Sequence, residues 1–194
     1  MSGLFGRIRN ALLGDAASSG ERHVLRGFQV LVENNRQDID TSAVLQRLDD
    51  ALGLIEAWQP WRLRHMRRDV SYFWIVRYPC RGAYFPGTRA IMTELTFLAR
   101  RDITAAPVAS SILPEGMHAR ISAMLGGVPS LDSAHEERVC RRAELAFGQA
   151  LPVGLGAPVI ERAMASLMLD EEGVAPTIDW TEARRRQDEA DGRI

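Results

Sequence analysis

The chain has 194 residues, 46% of them hydrophobic, which is enough to bury a sizeable core in one domain without requiring a second. Its formal charge is -1, with 25 acids against 24 basic residues, all arginine. That balance argues against whole-surface binding to nucleic acid and confines such contacts to local arginine patches. Cys80 and Cys140 have neither the spacing of a metal knuckle nor the number of a disulfide framework, so a reducing cytoplasm is the expected compartment. Arg7 and Arg9 interrupt the first apolar stretch, and no run approaches the ~20 residues of a membrane span, so a soluble protein is expected.

In chain order, Leu4, Phe5, Ile8 and Leu12 recur at helical spacing. They predict a short amphipathic helix within a terminal unit, residues 1–20, that either packs on the body or touches a membrane surface or partner through residues 1–14. Val24, Phe28, Leu31 and Val32 fit one helical face and predict a helix from about His23 to Asn34. Asp40 or Thr41 caps a long helix with the stripe Val44, Leu45, Leu48, Leu52, Ile55 and Trp58, and a basic helix follows over Trp61 to Asp69.

The pattern then changes. Tyr72 to Val76 is aromatic and β-branched and reads as a strand, Gly82 to Gly87 reads as a turn, and Arg89 to Met92 as a second short strand. Thr93 to Arg101 is a connecting helical turn. A helix starts near Thr104, with Pro107 in its first turn, and runs to Leu125 before Gly126 and Gly127. Two further helices span about Leu131 or His135 to Leu151, and Pro158 to Leu169. The expected class is α+β: a mainly helical domain over 21–170 with a small antiparallel or mixed sheet, followed by a charged, loosely held tail over 171–194.

One short segment carries chemistry. Pro114-Glu115-Gly116-Met117-His118 has the frame of the zinc-binding helix motif His-Glu-x-x-His with proline in the first position. In the intact motif, histidines four residues apart share a helix face and hold one zinc ion, and the glutamate takes a proton from the metal-bound water. Glu115 occupies the catalytic base position, His118 that of the second ligand, and Pro114 that of the missing one. A solvated glutamate beside a half-buried histidine is the ordinary alternative for Glu-x-x-His.

The surrounding stretch Ala106 to Ile121 resembles the aliphatic-flanked, Ala-Arg-terminated motif helix of bacterial metallopeptidases with a zincin-like fold. Glu137 to Phe147 is similar to the glutamate-bearing second helix of the gluzincin type. The resemblance covers roughly Tyr72 to Leu169. It implies zinc as the family cofactor, a substrate-binding edge strand before the motif helix, and a third ligand from Glu137 or Glu144. Glu137 follows His118 by 19 residues, close to the separation the family implies, and Glu144 lies a heptad further on nearly the same face. Both also stand among Arg138, Arg141 and Arg142, with which salt bridges are the simpler reading.

Pro114 removes an imidazole and a backbone hydrogen bond, the latter at a cost of about 3 kcal/mol unless the helix kinks. The expectation is therefore a metallopeptidase-like protein, a hydrolase by ancestry, with a degenerate zinc site, impaired or absent catalysis and a retained capacity to bind a peptide. His135, His65, His23 and Cys140 are the candidate substitute ligands. The alternative is a helical module that uses Arg62, Arg64, Arg67 and Arg68 to bind nucleic acid or an acidic partner, with Trp61 and the aromatic strand nearby.

Overall fold

The computed structural model describes residues 20–128, 130–175, 179 and 181–185. The predicted N-terminal helix and Trp180 lie outside them. The chain opens with two strands, β1 (Glu21–Leu25) and β2 (Phe28–Glu33), where the apolar pattern had predicted a helix from His23 to Asn34. Burial explains the correction. Phe28, Val30 and Val32 are 1–2% exposed on alternate positions, whereas Val24, needed for the helical face, is 62% exposed. The period is two, and Arg26-Gly27, both at positive φ (47° and 84°), forms the tight hairpin turn between the strands. Arg26 is held in this left-handed conformation by ion pairs to Asp49 and Glu56, and its carbonyl accepts from Arg67.

Helix α1 (Thr41–Trp58) is capped by Asp40, which accepts from the Ser42 N–H at 2.9 Å. Its stripe Val44, Leu48, Leu52 and Ile55 is completely buried, each side chain contributing roughly 1.5–3 kcal/mol by leaving water. Pro60 then opens α2 (Pro60–Asp69), where its missing N–H is harmless. The two helices carry the chain back so that β3 (Tyr72–Val76) lies parallel to β2.

Residues 82–85, expected as part of a turn, form β4 (Gly82–Phe85), and β5 (Ala90–Glu94) follows. The sheet has five strands in the order β1-β2-β3-β5-β4, with parallel pairing in the centre and antiparallel pairs at both edges. It is a mixed sheet, with more strands than the two or three expected. Its helical face packs Phe73, Ile75 and Ile91 against α1, α2 and α4 (Ala105–Met124). The opposite face gathers Trp74, Tyr78 and Met92. Between β5 and α4 lies the short α3 (Leu95–Ala99), whose first amides are capped by Glu94.

Helix α5 (Ser133–Ala150) and α6 (Val153–Leu167) form a hairpin against α4, and the single turn α7 (Glu171–Val174) closes on α5. The hairpin requires Gly156, because a Cβ there would lie 2.2 Å from the Gly148 carbonyl oxygen. Since backbone cannot yield like a side-chain tip, Gly156→Ala is expected to cost roughly 1–3 kcal/mol in urea unfolding. An unchanged unfolding midpoint would contradict this crossing.

Candidate functional site

Helix α4 begins after Thr104 and runs unbroken through Pro114. Pro114 has no N–H to give the Ser110 carbonyl, so this turn lacks one of its hydrogen bonds. Glu115 and His118, three residues apart, leave the helix on one side. Above them passes β4, the outer strand of the sheet. Gly82 sits directly over Glu115, with the position of its absent Cβ 3.5 Å from the Glu115 Cγ, and the Tyr84 backbone N–H donates to the Glu115 carboxylate.

The other wall is α5. Asp132 caps it by accepting from the His135 N–H at 2.8 Å, which places Glu136 in the first turn and Glu137 immediately after. Both glutamates meet His118. Its Nδ1 lies 2.6 Å from Glu136 Oε1 and its Nε2 lies 3.0 Å from Glu137 Oε1. With both glutamates ionised, each ring nitrogen faces an acceptor, an arrangement that the imidazolium satisfies with its two N–H groups. Burial opposes that charge, but hydrogen bonds with Cys140 and Glu137 and the nearby Glu115 outweigh it and push the His118 pKa up to about 12. Glu137 is held below the usual carboxylate range, its burial being outweighed by His118 and Arg141.

Glu115 has the opposite tendency. Burial raises its pKa, the Glu137 charge adds to the rise, and His118, Arg141 and the Tyr84 amide only partly counter it. Cys80 and Cys140 are both free, and burial is the main cause that pushes each thiol up, Cys80 to about 12. Neither has the low pKa of a nucleophilic cysteine. The result is a cleft of about 680 Å³ lined by the β4 backbone, Cys80, Glu115, His118, Glu136, Glu137 and Arg141.

Thus Glu115, His118 and Glu137 come together, beside Pro114 in the same helix. Glu144 goes elsewhere: fully buried, it accepts from Arg141 Nη1 at 3.1 Å and from Arg162 Nε at 2.9 Å. Of the substitute ligands, Cys140 contacts His118, whereas His135 is exposed at the start of α5, His65 belongs to α2 and His23 hydrogen-bonds Glu21 on β1. Sequence reasoning missed Glu136, although it adjoins Glu137, and missed Gly82, which read as part of a turn and carried no signal of its strand position.

Most of the basic face over Arg62 to Arg68 is used internally. Arg62 donates to Gln59 and lies against Met117, Arg67 pairs with Glu56, and Arg68 pairs with the buried Asp69. Arg64 alone of the four has no hydrogen-bonding or ionic partner among the described residues. No helix among those residues is long and apolar enough to cross a membrane.

The donor set falls short of a catalytic zinc site, which takes three protein ligands and a water. The Pro114 ring offers no donor, and the two nitrogens of His118 each face a glutamate, at 2.6 and 3.0 Å. Among the described residues no three His, Cys, Asp or Glu side chains are arranged to hold a metal ion. Comparison with family models, with curated proteins and with solved structures finds no match for this chain.

The raised pKa of His118 has a defined effect on stability. Its contribution is complete below the unfolded value of about 6.5, declines as pH rises and vanishes above the folded value. Replacing it, as in His118→Gln, is expected to cost roughly 2–4 kcal/mol at pH 6, in line with breaking a largely buried ion pair. In urea unfolding, the gap to the native protein should narrow steadily towards pH 10. A gap that widens with pH would show that His118 is neutral in the fold.

Proposed function

We propose that this protein is a metallopeptidase-like, gluzincin-type chain whose zinc site has degenerated, and that it binds an extended peptide along β4 without zinc-dependent cleavage. The observation that carries this reading is the convergence of Glu115, His118 and Glu137 at the head of one cleft, under the edge strand and beside Pro114. An unrelated helical domain has no reason to place a base-position glutamate, a ligand-position histidine and a downstream glutamate together.

The chemistry left to these residues favours holding over cutting. An added peptide strand would hydrogen-bond to the outer backbone of β4, which supplies affinity, while side chains on alternate positions enter the cleft. Glu115, its pKa raised by burial, stands beneath the β4 backbone on the path of such a peptide. His118 is neutralised by Glu136 and Glu137 and fixes the far wall. Two free thiols suit a bacterial cytoplasm. The arginine-face alternative has less to stand on, because Arg62, Arg67 and Arg68 are engaged within the fold.

Metal content of the purified chain, measured beside Pro114→His, tests the reading. The native protein is expected to hold well under one equivalent of zinc, and the variant, regaining a donor four residues before His118, to approach one. A variant that gains no zinc would remove the basis for metallopeptidase ancestry. Stoichiometric zinc in the native chain would contradict a degenerate site.

A further inference from the structure

Beside Glu115 the cleft continues into a second cavity of about 380 Å³, with Gly82, Glu115 and Arg141 shared between the two. Its walls bring in Arg81, just before β4, and Arg162 and Ser166 from α6. We propose that this cavity is a carboxylate-binding subsite that selects peptides carrying a free C-terminus or an acidic side chain next to the position of Glu115. The inference rests on the reading of the main cleft as a peptide site.

Charge accounting supports it. Three guanidinium groups line or border the space, and the fixed carboxylate that answers them is Glu144, buried beneath and shared by Arg141 and Arg162. Arg141 also faces Glu137, but at 3.7 Å and with Glu137 already committed to His118. The Arg141 Nε is buried without an acceptor among the described residues. Arg162 spends Nε and Nη2 on Glu144, which leaves Nη1 available. Arg81 stacks over Phe97 at 5.3 Å and pairs with no carboxylate among the described residues. Glu115 also lines the cavity, at its β4 side, where its carboxylate accepts from the Tyr84 N–H.

One unpaired guanidinium and one with a free edge, flanking a space that opens onto the β4 strand, match a single planar carboxylate held by two donors. A peptide paired with β4 would have its backbone beside Gly82 and an end or side chain able to enter between Arg81 and Arg162.

The test uses the full chain and a fluorescein-labelled hexapeptide of alanine and leucine in three forms: free acid, C-terminal amide, and amide with one internal leucine replaced by glutamate. N-acetylglutamate is titrated separately while the Arg Nε–Hε resonances are followed by NMR. At least one carboxylate-bearing peptide should bind about tenfold tighter than the plain amide, as one or two charge-assisted hydrogen bonds provide. Which one does so identifies the source of the carboxylate. Arg81→Ala, at an exposed site outside every ion pair among the described residues, should remove the preference, and Arg81→Glu should reverse it.

Equal binding of all three forms would overturn the subsite and leave the β4 reading intact. If no peptide binds but N-acetylglutamate shifts the Arg81 and Arg162 resonances, the subsite stands and the β4 reading fails. If neither peptide nor N-acetylglutamate is bound, the subsite is refuted.

Discussion

The proton held between His118 and two glutamates organises the cleft. His118 is the contact through which α4 and α5 meet in polar chemistry, with one carboxylate on each ring nitrogen. A metal at Nε2 would have to displace a proton directed at Glu137, and it would find no second imidazole at Pro114. The raised His118 pKa favours the charged ring, which satisfies both Glu136 and Glu137.

The remaining charges follow from that arrangement. With Glu137 answered by His118, Arg141 turns its stronger contact to Glu144, where Arg162 joins it. Glu144 is completely enclosed, and such a carboxylate persists only when paired. The group that links α5 to α6 is therefore also what brings two arginines to the border of the cleft. Structure and recognition share residues, so changes at Glu144 would act first on packing and only then on binding.

Much of the helical framework was legible in the sequence because it depends on local signals: Asp40 as a cap, Pro60 at a helix start, Thr104 ahead of Pro107, Gly126 and Gly127 as a stop. The strand from Tyr72 to Val76 was equally plain. The β1–β2 hairpin was not, since Val24, Phe28, Leu31 and Val32 fit a helical period by accident, and the deciding feature was an Arg26-Gly27 turn stabilised by residues of α1 and α2. β4 was hidden for a different reason. Its residues look like turn chemistry, and only pairing with β5 and the close approach to Glu115 make Gly82 a strand residue. At the site, motif spacing located Glu115, His118 and Glu137, but the separation of Glu137 from Glu144 needed the positions of Arg141 and Arg162 in space.

Pro114 thus bears on the proposed reading through the helix as well as through its missing donor. Helix α4 absorbs the missing hydrogen bond and continues, so Glu115 and His118 keep a common helix side with His118 set between two glutamates. The ¹⁵N chemical shifts of His118 at pH 8 test this most directly. The account predicts both ring nitrogens protonated and unchanged by added zinc. A neutral ring with an unprotonated Nε2, or a shift of Nε2 on adding zinc, would contradict it.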